Sequence, residues 1–121
     1  MKEPDHINQN IFFSLIDGLI LVSPTLSILR SNLAIEDMFH KSRDAIANRH
    51  LEELFPKQPQ ILDKVQKVLE TGACYHDVEA KGERKTASGQ FPVNLTISPY
   101  LESDDSIEGA IILVKNMSLI R

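Results

Sequence analysis

Near the start of the chain, Ile7, Ile11, Phe12, Leu15 and Ile16 recur at helical spacing and make one apolar stripe. Asp5 is placed to cap this helix, and Gly18 ends it just after Asp17. Leu19-Ile20-Leu21-Val22 follows as a short, wholly apolar run of strand length. Pro24-Thr25-Leu26-Ser27 reads as a turn, and Ile28-Leu29-Arg30-Ser31 returns as a second strand. Helical patterns then hold to residue 71. A short helix carries Met38 and Phe39, a second begins at the capping Ser42, and a third follows Asn48. The longest starts near Pro59, shows Ile61, Leu62, Val65, Val68 and Leu69 on one face, and stops at Gly72.

Beyond Gly72 the period changes to two. Cys74, His76, Val78 and Ala80 alternate with Tyr75, Asp77, Glu79 and Lys81, and Ala87-Ser88-Gly89-Gln90 supplies a hairpin turn. Phe91, Val93, Leu95 and Ile97 alternate with Pro92, Asn94, Thr96 and Ser98. After the polar loop Glu102-Ser103-Asp104-Asp105-Ser106, a last strand runs from Ile107 to Val114. Ala110, Ile112 and Val114 lie on one of its faces and Ile111 and Leu113 on the other, so both faces need cover. This element order predicts an α+β fold: a five-stranded antiparallel sheet with helices on one face and an N-terminal flanking helix. The expected organisation is a flanking helix over residues 1–17, a core over 18–116, and the start of a linker or helix over 117–121.

Bulk properties narrow the function. The 121 residues suit one domain with one core, and 42% hydrophobic with 25% charged residues is ordinary for a soluble globular chain. A net charge of −4 argues against nucleic acid as a partner. The longest basic cluster, Lys81-Gly82-Glu83-Arg84-Lys85, contains an acid and reads as a solvated strand face. The single cysteine, Cys74, excludes an internal disulfide and reads as an inert packed thiol, which fits a cytoplasmic setting. No run of about 18 apolar residues occurs, no signal region follows the N-terminus, and no internal repeat is present. HExxH, GxSxG, CxxC and a phosphate-binding glycine loop are all missing. Glu52-Glu53 and Asp104-Asp105 are adjacent pairs that read as solvated acids.

The stretch from Leu29 to Phe55 resembles the front half of a PAS domain, whose usual pattern is N-x-A-x-x-x-x-F-G-y-s-x-e-E-l-i-G. Asn32-Leu33-Ala34 resembles the start of its first internal helix, and Pro56 to Gly72 its long crossing helix. Ser88-Gly89-Gln90-Phe91-Pro92-Val93 resembles the D-G-x-x-x-P-V hairpin, and Ile107-Glu108-Gly109 the I-x-G that opens the last strand. Three positions depart. His40 and Asn48 stand where Gly is usual, and both types tolerate positive φ. Asn116-Met117-Ser118 replaces a closing D-I-T, so the residues that signal output can cap a helix without supplying a charge.

The resemblance implies a sensory or relay domain of a bacterial two-component signalling protein. It would detect a small apolar ligand or a partner and pass the change through its C-terminal linker to an output domain in the same chain. The resemblance favours a histidine kinase as that output. The domain itself would not be an enzyme. Two other readings stay open: a ligand-free dimerisation module, and a small stand-alone α+β enzyme, which would need an inward acid or tyrosine.

No cofactor is expected. Haem-binding relatives usually carry a His on the crossing helix, and Gln60 to Glu70 has none. Flavin-binding relatives carry a reactive Cys in the helical half, where residues 47–55 have none. The pocket candidates are Met38, Phe39, Ile46, Leu54, Leu62, Val65, His76, Val78, Ala80, Val93, Leu95, Ile112 and Val114, with His76 inward if the strand phase holds. The same positions suit a fully packed core, although the small Ala80 and Gly82 leave room there. The expected homodimer surface joins Ile7, Ile11, Phe12, Leu15 and Ile16 to Ile111 and Leu113.

Overall fold

The computed structural model describes residues 17–84 and 89–119, so the N-terminal stripe from Ile7 to Ile16 and the hairpin residues Ala87 and Ser88 lie outside the described residues. Five strands form the sheet: β1 (Gly18–Val22), β2 (Ile28–Ser31), β3 (Tyr75–Glu83), β4 (Gln90–Leu101) and β5 (Ile107–Asn116). They are ordered β2-β1-β5-β4-β3, and every neighbouring pair is antiparallel. Between β2 and β3 come α1 (Leu33–Phe39), α2 (Arg43–Ile46), a 3₁₀ turn (Leu51–Glu53) and α3 (Pro59–Thr71). These helices cover one face, where Ile20, Val22, Leu95, Ile97, Ala110, Ile112 and Val114 are buried from the sheet side. No helix among the described residues is long and apolar enough to cross a membrane.

The helix ends follow from short-range chemistry. Ser42 caps α2 by accepting from the Ala45 N–H at 3.2 Å. His40 and Asn48 adopt φ of 56° and 65°, the left-handed conformation that Gly usually supplies. Gly72 ends α3 in the same way, at φ 79°. Gly109 answers a different need. A Cβ there would run into the Val22 carbonyl oxygen at the end of β1, so Gly is what lets the two backbones approach.

Proline is unusual inside a central strand, yet β4 holds Pro92 and Pro99. Pairing explains both. Pro92 lies opposite Lys81 of β3, and on its other side β5 pairs no further than Val93↔Asn116. Pro99 lies opposite Ala110 of β5, and on its other side β3 pairs no further than Tyr75↔Ile97. Backbone groups alternate sides along a strand, so each proline nitrogen faces the side on which the neighbouring strand is absent. No ladder bond is lost.

One buried polar side chain ties the front of the sheet together. Asn32 is fully buried between β2 and α1. Its Oδ1 accepts from the Leu19 N–H at 2.9 Å and the Ile35 N–H at 3.3 Å, and its Nδ2 donates to the Asp17 carbonyl at 3.0 Å. A single amide therefore caps α1 and holds the start of β1 against it. Asn32→Ala should cost about 2–3 kcal/mol in urea unfolding, because it strands buried partners. Asn32→Ser, which keeps a cap and loses the reach to Asp17, should recover only part of that.

The β4–β5 loop supplies a titration handle. Asp104 Oδ1 accepts from the Ser106 hydroxyl at 2.7 Å and from its N–H at 3.0 Å, and these bonds hold the carboxyl below its usual pKa. A depressed folded pKa means the bonds favour the fold above the unfolded pKa and are lost as pH falls through the folded one. Ser106→Ala should move the Asp104 midpoint upward in an NMR titration. An unmoved midpoint would mean that the hydroxyl instead donates to the Glu108 carboxylate, 2.8 Å away.

Candidate functional site

The space between helices and sheet is where the sequence places a pocket. Met38 and Phe39 from α1, Ile46 from α2, Leu54, Val65 from α3, Val78 and Ala80 from β3, Val93 and Leu95 from β4, and Ile112 and Val114 from β5 are all buried in one cluster. Leu62 packs against that cluster from a half-buried position. Among the described residues the buried polar side chains are Ser31 and Asn32.

The room left by Gly82 is occupied. A Cβ on Gly82 would come within 2.6 Å of Phe91 and 2.9 Å of Phe39. Phe39 meets Phe91 edge-on at 5.1 Å between centroids and Phe55 at 5.7 Å, so aromatic rings pack where the small Gly82 would otherwise leave room. Neither Phe55 nor Phe91 is among the expected pocket residues. Phe55 follows a 3₁₀ turn and so shows no periodic signal. Phe91, the second residue of β4, shares the inward phase of Val93, Leu95 and Ile97, so that alternation already marked it.

Three expectations require correction. His76 is exposed, because β3 bulges: Tyr75 pairs with Ile97 and Val78 with Leu95, so three steps on β3 match two on β4. The extra residue inverts the alternation, with Asp77 at φ 55°, and Tyr75 packs against the core instead. Cys74 is exposed as well, not a packed thiol. Arg84 departs from the solvated strand face read for its cluster. Its Nε donates to the Met38 carbonyl at 2.7 Å and its guanidinium lies 4.1 Å from the Phe91 centroid, which ties the end of β3 to α1.

Two further features lie on the outer face of the sheet and at the end of β5. On the face turned away from the helices, Leu19 lies opposite Leu113 and Leu21 opposite Ile111, all half-buried. At the end of β5, Asn116 Oδ1 accepts from the Ser118 N–H at 3.0 Å and its hydroxyl at 2.6 Å, and so caps the short turn Met117–Leu119. No group of three or more His, Cys, Asp or Glu among the described residues could hold a metal ion.

Residues 16–118 match the family described as "PAS domain". The chain belongs to the PAS domain family. The PAS domain is a sensory, non-catalytic fold. No curated protein matches the chain in sequence. Solved PAS structures share the architecture at low identity. One is the PAS domain of a protein from Colwellia psychrerythraea, 14% identical with a TM-score of 0.79, covering 93% of this chain and 96% of that one. Another is a domain of a sensory box sensor histidine kinase/response regulator from Geobacter sulfurreducens, 15% identical with a TM-score of 0.73, covering 93% and 94%. A third is the PAS domain, in complex with ethanol, of a LuxR-family transcriptional regulator from Burkholderia thailandensis. It is 20% identical with a TM-score of 0.70, covering 91% and 96%.

Phe39→Ala tests how tightly this PAS core is packed. It should cost about 3–5 kcal/mol and leave a cavity that takes up a small apolar molecule. Benzene should then raise the thermal midpoint of the variant and leave that of the wild type unchanged. A loss below about 1 kcal/mol would mean that the ring is not a packing element.

Proposed function

We propose that this PAS domain relays a signal from its apolar core to an output domain through the segment that leaves β5. The observation that carries this reading is the double duty of β5. Ala110, Ile112 and Val114 pack under the helices, Ile111 and Leu113 lie on the opposite face, and the strand runs straight into Asn116-Met117-Ser118. A ligand or partner that favours one packing of the core over another shifts the strand's equilibrium position, and the exit segment follows. Likeness to the Geobacter sulfurreducens sensor kinase domain supports a histidine kinase as output. The outer face around Leu19, Leu21, Ile111 and Leu113 joins two copies into a homodimer, with the N-terminal stripe from Ile7 to Ile16 as the expected second half.

A second reading, a dimerisation module without a ligand, is supported by the Phe39–Phe55–Phe91 packing. Native mass spectrometry of the purified domain separates the two. A stoichiometric small apolar adduct supports the sensor, and a bare dimer supports the module. A Soret band or flavin absorption would overturn the expectation that neither cofactor binds. Replacing Ile111 and Leu113 with Ser should weaken dimerisation at least ~10-fold in sedimentation with the circular dichroism retained. A wild type that is monomeric at high micromolar concentration would refute the dimer.

A further inference from the structure

β3 is an edge strand, and an open edge invites another strand to pair with it. Lys81 lies opposite Pro92, and both its backbone groups face away from β4. By alternation the same holds for Glu79 and Glu83. The Glu83 N–H donates to the Leu54 carbonyl at 3.1 Å. Lys81 is covered differently. Its N–H donates to Gln58 Oε1 at 2.9 Å, and Gln58 Nε2 donates to its carbonyl at 2.8 Å. The primary amide of one side chain thus makes both hydrogen bonds that a residue of an added strand would make.

Gln58 does this in place of its ordinary task. It stands at the N-cap of α3, where a side chain usually bonds the first turn, yet it makes no such bond. The opposite edge is closed by main chain: Ile28 N–H donates to the Arg49 carbonyl at 2.8 Å, and Ser27 bridges His50. Beside Gln58 a hollow of about 530 Å³ lies over the β3–β4 face, with Glu79, Lys81, Pro92, Asn94 and Met117 in its walls.

We propose that Gln58 guards the β3 edge against pairing with β3 of a second copy of this chain. The edge is self-complementary in one register. Antiparallel pairing about Ala80 sets Glu79 of each copy opposite Lys81 of the other, so two opposite-charge pairs form by symmetry. Pairing about Glu79 or about Lys81 would set like charges face to face. With the amide in place, the backbone groups this register needs at Lys81 are already bonded.

The test is sedimentation of the whole domain at several concentrations, with circular dichroism as a control for folding. Gln58→Ala should add association beyond the outer-face dimer, at least ~10-fold tighter than any such step in wild type, and should keep it when Ile111 and Leu113 are replaced with Ser. Gln58→Glu, which keeps the acceptor for the Lys81 N–H and loses the donor, should fall between them and serves if the alanine variant folds poorly. Adding Lys81→Glu to Gln58→Ala should reverse the association, and adding Glu79→Lys as well should restore it. A folded Gln58→Ala protein that sediments as wild type at every concentration overturns the proposal. So does association that ignores the charges at positions 79 and 81.

Discussion

A central strand that is apolar on both faces has to be covered twice, and this constraint on β5 organises the rest of the molecule. Its neighbours β1 and β4 supply the ladder on either side. Three helices and a 3₁₀ turn supply one cover, and Ala110, Ile112 and Val114 are fully buried beneath them. The other cover is only partial within the described chain, where Ile111 and Leu113 remain half-buried. Any change in how either face is covered acts on the same ten-residue strand, whose last residue caps the exit turn.

Around that strand the fold depends on close backbone approaches and on polar side chains used with economy. Gly109 lets β5 approach β1, and Gly82 lets the Phe39 and Phe91 rings meet over β3. Asn32 satisfies groups from the start of β1 and from α1 with one buried amide. Gln58 and Arg84 do related work at the edge of the sheet, binding the β3 backbone and the α1 carbonyl respectively. In each case a long or branched polar side chain joins elements that are remote in sequence. The helical layer is therefore fastened to the sheet by hydrogen bonds at its rim as well as by apolar packing at its centre.

Helix and strand order, the inward faces of β4 and β5 and the caps at Ser42 and Gly72 were determined by local sequence, whereas the left-handed positions His40 and Asn48 followed from the resemblance to a family that usually has Gly there. The elements and caps depend on periodicity and on which residues tolerate a given φ, and those are properties of a few consecutive residues. The phase of β3 was not legible, because a bulge at Asp77 is set by how β3 pairs with β4, and one extra residue turns His76 outward. Nor was the filling of the pocket. The space beside Gly82 looks empty in sequence and is closed by Phe39, Phe55 and Phe91, which come from three separate parts of the chain. The partners of Arg84 and Gln58 lie 46 and 23 residues away, and no spacing rule connects them. Local chemistry decided the elements, and only tertiary packing decided which side chains share the core and which close the edge, because those contacts join residues that the chain itself keeps apart.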